Sequence, residues 1–349
     1  MFINVTPETL HRQKAQGHII VDVRSPKEFA EATIPGAINL PLFSDEERAL
    51  VGTTYKQQGQ QAAKDLGLQL FSKKLPDYVR QFQELDAPVT VFCWRGGMRS
   101  KTVATVTDLM NVKASRLTGG IRAYRNWMKE QLQTLPLPPF YVLNGHTGNG
   151  KTQLLRQLKQ EGYPVIDLEG MAGHRGSIFG HIGLEPNNQR LFNLKLGEAL
   201  LEYQQAPYIL IEGESARIGK VIIPERIYQH KASSLQLVLD LPVAERVQII
   251  LADYSPEDSP EAFTAAFEKI RRRIHTPVAK AVSSALEEGD YPSVVKNLLT
   301  TYYDPHYDRS TDYPKDQTVY LEARTIEEAK DQLTSWLRHE HGLSFIKHP

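Results

Sequence analysis

A glycine-rich segment constrains the possible fold of this chain more than any other feature. Residues 145–152 read GHTGNGKT and match the pattern G-x-x-x-x-G-K-[ST]. The apolar run Phe140–Asn144 precedes them, and residues 152–160 have the spacing of a helix that ends before Gly162. A strand, this loop and a helix in that order predict an α/β domain whose parallel strands are covered by helices on both faces.

A proline-rich break separates two series of predicted strands and helices. Residues 135–139 read LPLPP, and three prolines in four positions favour a stiff extended segment over a helix. The chain has 349 residues, more than one hydrophobic core usually spans. We therefore predict a domain over residues 1–134, a linker over 135–139, and a second domain over 140–349 with a helical C-terminal part.

The predicted elements alternate between strand and helix on both sides of this linker. In the first domain the predicted strands are 18–23, 89–92 and 114–117, and the predicted helices start at Thr6-Pro7, Ser25, Ser100 and Ile121. In the second, the predicted strands are 140–144, 164–168, 208–212 and 235–241, and the predicted helices are 152–160, 189–203, 261–274 and 326–339. Residues 43–75 exceed what the first domain needs and are interpreted as a lid or a partner surface.

The composition excludes several classes of protein. Lysine plus arginine and aspartate plus glutamate are equal, at 41 each, so any nucleic-acid site must be a local patch. No run of about 18 apolar residues predicts a membrane span, and the first ten residues lack a signal-peptide pattern. The single cysteine excludes an internal disulfide, and we expect a reducing, cytoplasmic location.

That cysteine lies in a second glycine-containing loop, residues 93–100, which read CWRGGMRS between a predicted strand and a predicted helix. Backbone N–H groups at such a helix start can converge on an anion, and Arg95 and Arg99 add positive charge. Gly96 and Gly97 allow a tight turn. These features favour a reactive thiolate at Cys93 that can hold a persulfide or perselenide. The alternative is a thiol buried in the core.

The first glycine-rich segment is predicted to bind a phosphorylated ligand. Its backbone N–H groups can surround a diphosphate, Lys151 supplies a charge, and the Thr152 hydroxyl is suited to Mg²⁺. Glu212, which ends a predicted strand, is the first candidate for a metal or water contact, and Asp167 is the second. No tightly bound cofactor is expected. The predicted ligand contacts in the loop are Gly145, Thr147, Gly148, Asn149, Gly150, Lys151 and Thr152.

Residues 170–181 combine four glycines with basic and hydroxyl side chains. His174, Arg175 and Ser177 are predicted to meet phosphate or RNA near the phosphate loop, and a flexible turn is the alternative. The run 271–273, three arginines, is interpreted as an exposed helix face or an RNA phosphate contact.

The first domain resembles the rhodanese family over roughly residues 1–134. The resemblance is carried by VDVR at 21–24, IPGAINLP at 34–41, the cysteine loop, and LTGG at 117–120 followed by Trp127. It implies that Cys93 accepts a chalcogen atom and passes it on. Arg99 follows six residues after Cys93, a spacing that also resembles Cys-x5-Arg phosphatases.

The two loops together resemble the tRNA 2-selenouridine synthases over nearly the whole chain. The resemblance implies action on wobble 2-thiouridine of tRNA, geranylation from geranyl diphosphate, and replacement of the S-geranyl group by selenium from selenophosphate. It implies tRNA as partner, with selenophosphate synthetase as a candidate second partner. In this interpretation residues 145–152 serve the prenyl donor and Cys93 serves selenium transfer.

Three other functions fit parts of the sequence. A Cys-x5-Arg phosphatase is one, although Phe92 stands where those enzymes usually place histidine. A P-loop kinase with a regulatory rhodanese-like module is the second, and it predicts a nucleotide on the phosphate loop. The third is a noncatalytic tRNA-binding scaffold, which needs neither Cys93 nor Lys151.

Overall fold

A computed structural model describes residues 2–310 and 313–341. The chain divides into two compact units. The first takes in the chain up to Thr134 together with Asn193–Gly197, and the second starts at Leu135. The C-terminal residues of the predicted second domain, 342–349, lie outside the described residues.

The first unit is built on a five-stranded parallel sheet in the order β1-β5-β4-β2-β3. Its strands are β1 (Ile3–Val5), β2 (Ile19–Asp22), β3 (Ile38–Asn39), β4 (Val89–Phe92) and β5 (Ala114–Leu117). Its helices are α1 (Pro7–Ala15), α2 (Pro26–Glu31), α3 (Asp45–Gln58), α4 (Gln60–Ser72), α5 (Leu75–Gln83), α6 (Met98–Leu109) and α7 (Gly120–Thr134). Every residue of β4 is buried, as expected for the central strand of a sheet covered on both faces.

The second unit has its own five-stranded parallel sheet, in the order β12-β11-β6-β8-β7. Its strands are β6 (Phe140–Asn144), β7 (Val165–Ile166), β8 (Ile209–Glu212), β9 (Arg217–Ile218), β10 (Val221–Ile222), β11 (Leu235–Asp240) and β12 (Thr318–Glu322), with β9 and β10 forming a separate antiparallel pair. Here too the glycine-rich loop follows the central strand, β6.

Helices make up most of the rest of the second unit. They are α8 (Lys151–Gln160), α9 (Leu168–Ala172), α10 (Gln189–Glu202), α11 (Glu225–Ala232), α12 (Val243–Tyr254), α13 (Pro260–Ile270), α14 (Thr276–Glu288), α15 (Tyr291–Leu298), α16 (Asp304–Ser310) and α17 (Ile326–His341). Short 3-10 or π turns lie at Pro256–Asp258, Arg271–Arg273, Leu299–Tyr303 and Lys315–Gln317. Over the described residues, the chain after β11 is mainly helical, apart from β12.

Local chemistry explains where several elements begin. Thr6 caps α1 by accepting a hydrogen bond from Thr9 N at 3.2 Å, and Pro7 occupies the first helical position. Ser25 and Glu28 form the predicted capping box at the start of α2. Both sheets are parallel, which confirms the predicted α/β class.

Two predicted elements need correction. The strand predicted over 164–168 is only the two residues of β7, because Asp167 caps α9 and turns the chain into a helix. The helix predicted over 261–274 ends at Ile270, and the three arginines after it form an exposed 3-10 turn. Residues 43–75, interpreted as a lid or a partner surface, are mostly helical, in α3 and α4.

Candidate functional site

The cysteine loop follows β4 and leads into α6. Cys93 is 3% exposed and packs in an apolar cluster with residues such as Val91 and Val103. Its Sγ lies 3.2 Å from the Oγ of Ser100, a fully buried residue in the first turn of α6. The thiol is therefore held by one hydroxyl inside the protein.

Two glycines let this loop turn back against the start of α7. Gly96 has φ +62°, and a Cβ there would lie 2.8 Å from the backbone of Gly119 and of Leu117. Gly120 has φ +61°, and a Cβ there would overlap the carbonyl oxygen of Cys93. The Ile121 N–H donates to that carbonyl at 3.0 Å, so the backbones of the two segments are in direct contact.

Arg95 and Arg99 were expected to add positive charge near Cys93, and the structure gives the two side chains different surroundings. Arg99 donates to both carboxylate oxygens of Glu28, at 2.5 and 3.2 Å. Burial by itself would raise the pKa of Glu28, but the hydrogen bond and charge of Arg99 lower it below its usual value. Arg95 is exposed. Arg99 is thus paired with Glu28, whose carboxylate also lies 3.6 Å from Arg48 Nε.

Cys93 is buried, as in the alternative interpretation of a core thiol, and Arg99 pairs with the carboxylate of Glu28. The reactive thiolate at Cys93 therefore stays a prediction. Gly97 differs from the prediction, since its φ is −87° and a methyl group in place of its hydrogen would meet no atom within 4 Å. The tight turn depends on Gly96.

The phosphate loop borders a cavity of about 690 Å³ in the second unit. Gly145, Gly148 and Gly150 have φ values of +140°, +81° and +64°, which explains why glycine stands at these positions. A Cβ at Gly145 would lie 2.8 Å from Asn149 Nδ2, and one at Gly150 would overlap Ile326. All seven predicted loop residues line the cavity: Gly145, Thr147, Gly148, Asn149, Gly150, Lys151 and Thr152.

Lys151 and Thr152 begin α8 and present their side chains at the loop. Lys151 Nζ donates to the carbonyl oxygens of Gly145 and His146, at 2.8 and 3.3 Å. The Thr152 hydroxyl lies 2.6 Å from a carboxylate oxygen of Glu212 and 2.7 Å from one of Glu169. Two carboxylates thus converge on one hydroxyl.

Burial and neighbouring negative charges raise the pKa of both carboxylates. Burial, and then the charge of Glu214, raises the pKa of Glu169 to about 7. Burial, and then the charge of Glu169, raises the pKa of Glu212 well above its usual value. A divalent cation beside the Thr152 hydroxyl would relieve this repulsion, and such oxygen donors suit Mg²⁺. Glu169 lines the cavity, whereas Glu212 is 1% exposed and is not among the lining residues.

Other buried contacts hold the phosphate loop in place. Asn149 is fully buried and donates from Nδ2 to Leu239 O at 2.5 Å. The Thr147 carbonyl accepts two hydrogen bonds from Arg246, at 3.0 and 2.8 Å. Arg246 also forms a two-pronged ion pair with Asp304, at 2.9 and 2.6 Å. The side chain of Asn149 thus helps to fix the shape of the loop.

The loop over residues 170–181 contributes part of what was predicted. Arg175 and Ser177 line the cavity, but His174 is not among the lining residues and its Nδ1 accepts from Gly176 N at 3.2 Å. Asp167 is likewise turned away, because its oxygens accept from Gly170 N at 2.6 Å and from Arg156 Nε at 3.0 Å. His174 and Asp167 therefore make contacts within the protein, and their predicted roles at a ligand stay predictions.

Comparison with known proteins identifies the family. Residues 138–342 match the tRNA 2-selenouridine synthase AAA domain, and residues 6–126 match the rhodanese-like domain. The chain is 30% identical to the tRNA 2-selenouridine synthase of Shewanella woodyi, over 91% of this chain and 95% of that protein. It is 35% identical to the protein of the same name from Hydrogenovibrio crunogenus, over 83% and 88%, respectively. The chain belongs to the tRNA 2-selenouridine synthase family.

A third member of the family, from Bdellovibrio bacteriovorus, is 31% identical over 87% of this chain and 92% of its own length. The two domain matches fall on the two parallel sheets, so the predicted order of a rhodanese-like domain and a P-loop domain is confirmed.

The sequence analysis did not identify several residues that the structure places at the phosphate loop or at the cysteine loop. Glu169 was overlooked because the strand before it was predicted to run to Leu168. Lys231 lines the cavity and is buried, and this burial lowers its pKa to about 8 against the opposing charge of Glu214. The serine that contacts the thiol, Ser100, was visible in the loop motif but was counted only as a helix start.

Two kinds of feature are absent from the part of the chain that the structure describes. Within the ranges 2–310 and 313–341, no group of three or more histidine, cysteine or acidic side chains is arranged to hold a metal ion on its own. Over the same ranges, no helix combines the length and apolar character needed to cross a bilayer.

Proposed function

We propose that this protein replaces the sulfur of wobble 2-thiouridine in tRNA with selenium, through an S-geranyl intermediate. One observation carries the proposal: a member of this family has its lone cysteine after the central strand of one parallel sheet and a phosphate loop after the central strand of the other. Two reactive loops in one chain suit a reaction in two steps.

The phosphate loop is assigned to the geranylation step. The diphosphate of geranyl diphosphate would lie against the loop N–H groups and the ammonium of Lys151. Mg²⁺, where bound, would be held by Thr152 and Glu169 and would neutralise charge on the diphosphate. The thiocarbonyl sulfur of the base attacks C1 of the geranyl group, the C–O bond breaks, and diphosphate leaves.

The cysteine loop is assigned to the selenium step. S-geranylation converts the sulfur into a better leaving group, so a selenium nucleophile derived from selenophosphate attacks C2 and geranylthiol departs. Because Cys93 is 3% exposed, the loop must open before its sulfur can take part. The base must also leave its stack, since a stacked base is inaccessible to an active site. Selenophosphate synthetase, as the source of selenophosphate, stays a predicted partner.

The test separates the two loops. Purified protein is incubated with 2-thiouridine tRNA, geranyl diphosphate and selenophosphate, and the nucleosides are weighed by mass spectrometry. We expect Cys93→Ala to form S-geranyl-2-thiouridine at the wild-type rate and to form no 2-selenouridine. The matched control is Ala104→Ser, a substitution of similar size in the same cluster, which should leave both products.

If Cys93→Ala abolished both products while keeping the wild-type unfolding midpoint, the division of labour between the loops would be wrong. Hydrolysis of a simple phosphate ester that depended on Cys93, without any tRNA product, would favour the phosphatase. Turnover of ATP in the absence of tRNA would favour the kinase.

A further inference from the structure

A small apolar pocket adjoins the cavity at the phosphate loop. It measures about 40 Å³, against about 690 Å³ for the cavity itself. The residues that line both spaces are Thr147, Ser177, Ile250, Tyr254 and Tyr303. Those that line the pocket alone are Phe179, Phe263, Val294, Val295, Leu298 and Leu299. The pocket is therefore an apolar extension of the site that borders the phosphate loop.

Helix α12 ties the pocket to the loop. Arg246, Ile250 and Tyr254 are spaced four residues apart and so lie along one face of the helix. Arg246 bonds the Thr147 carbonyl, while Ile250 lies so near Gly148 that a Cβ there would be 2.6 Å from its Cδ1. The pocket thus opens beside the backbone of the phosphate loop.

The polar groups at the mouth of the pocket are already paired. Ser177 Oγ and Tyr254 Oη are hydrogen bonded at 3.0 Å. Arg175 stacks over the ring of Tyr254, with its guanidinium carbon 4.6 Å from the ring centre, and donates to the carbonyl oxygens of Ile182 and Asp253, both at 2.8 Å. These contacts leave mainly ring and methyl surface facing inward.

The interior of the pocket suits hydrocarbon and does not suit a nucleotide base. Tyr303 Oη is buried, and among the described residues it has no hydrogen-bond partner. One hydroxyl cannot satisfy the several donors and acceptors on the edge of a base, and each unsatisfied polar atom costs about 1–3 kcal/mol when buried. A hydrocarbon chain has no such groups to satisfy.

We propose that this pocket binds the distal end of the hydrocarbon tail of an allylic diphosphate whose phosphates lie on the phosphate loop, and that its lining limits the length of that tail. The inference rests on the proposed geranylation step and deepens it. Phe263 and Leu298, 3% and 4% exposed, help to close the pocket, so a longer tail requires their displacement. The same surface discriminates against nucleoside phosphates.

The first experiment measures binding without tRNA, by calorimetry. Wild-type protein should bind geranyl diphosphate roughly tenfold or more tighter than inorganic diphosphate, since burial of two methylenes alone is worth about tenfold. It should bind ATP more weakly than geranyl diphosphate. Equal affinity for geranyl diphosphate and inorganic diphosphate, or tighter binding of ATP, would overturn the inference.

The second experiment enlarges the pocket. Leu298→Ala should raise the ratio of farnesyl to geranyl transfer roughly tenfold, because enlarging an apolar pocket by one or more methylenes shifts specificity by at least that factor. Both transfer rates are measured on the same protein sample. Partial unfolding therefore lowers farnesyl and geranyl transfer equally and leaves their ratio unchanged. The control is Leu286→Ala, which removes a leucine packed against the same cluster but outside the pocket, and the ratio should not move.

The two experiments separate this inference from the proposed function. If geranyl diphosphate binds with a tail-dependent affinity that Leu298→Ala weakens, but no prenyl group reaches tRNA, the pocket stands and the proposed function fails. If geranyl transfer occurs and Leu298→Ala changes the chain-length ratio no more than Leu286→Ala, the proposed function stands and the pocket assignment fails.

Discussion

The two glycine-rich loops follow the same strand position in their sheets but differ in the charged groups around them. One has a paired arginine, and the other has two adjacent carboxylates. Each follows the central strand of a five-stranded parallel sheet, β4 in one unit and β6 in the other. In the cysteine loop Arg99 pairs with Glu28 and the sulfur is buried. At the phosphate loop, Glu169 and Glu212 crowd one hydroxyl beside a large cavity.

This contrast shows that topology supplies the position and that side chains supply the chemistry. In the cysteine loop these side chains bury the sulfur. At the phosphate loop, the ammonium of Lys151 is suited to a phosphate and the neighbouring carboxylates are suited to a cation. Substitutions in either loop test this contrast, and the largest effect is expected at the phosphate loop.

Removal of the phosphate-loop ammonium should have the largest effect on activity. Lys151→Met should slow geranylation by about 100-fold or more, because a preorganised charge on the diphosphate is lost. Selenouridine should disappear as well, since the S-geranyl intermediate is no longer made. The control is Lys159→Met, at an exposed lysine on the same helix, and both products are quantified by mass spectrometry.

The closed cysteine loop should be sensitive to any side chain at its contact with α7. Gly120→Ala should lower the free energy of unfolding of the first unit by about 3 kcal/mol, because a methyl group would overlap the Cys93 carbonyl and φ is +61°. Gly97→Ala, where a methyl group meets open space, should change it by less than about 1 kcal/mol. Denaturant unfolding of both variants checks this, and similar losses in the two would contradict the close packing.

Crowded carboxylates should make the second unit less stable as pH rises. The pKa of Glu169 is raised, to about 7, so its protonated form stabilises the folded state fully below pH 4.5, and that contribution is lost as pH rises through 7. Glu169→Gln should therefore flatten the decline in unfolding free energy between pH 5 and pH 8 by roughly 2 kcal/mol. Glu185→Gln, at an exposed glutamate, should leave the pH profile unchanged.

The predictable parts of the fold were those with strong local signals. The bounds of three strands were predicted without error: Val89–Phe92, Ala114–Leu117 and Phe140–Asn144. The first and third are short, mainly apolar runs, whereas the second, ASRL, has apolar residues only at its two ends. The edge strand Thr318–Glu322 was missed, since three of its five residues carry hydroxyl or carboxyl groups and only Leu321 is buried. Edge strands lack the continuous apolar run that marks a central strand.

The candidate site was predictable in its loops but not in its long-range pairs. The glycines and Lys151 follow from local motif chemistry. Arg246 and Asp304 are 58 residues apart, so no local pattern could bring them together at Thr147. The burial of Cys93 also depends on residues from distant elements, such as Val21 and Phe82 in the same cluster.

The lone, buried thiol has a consequence for redox chemistry. When Cys93 is oxidised or carries a chalcogen atom, this chain has no second cysteine to attack it and release the product. Return of an oxidised Cys93 to the free thiol therefore requires a reductant from outside the chain, a small thiol or another protein, whereas a bound chalcogen atom can also leave by transfer to an acceptor. Opening of one short segment would then set the pace of both loading and regeneration.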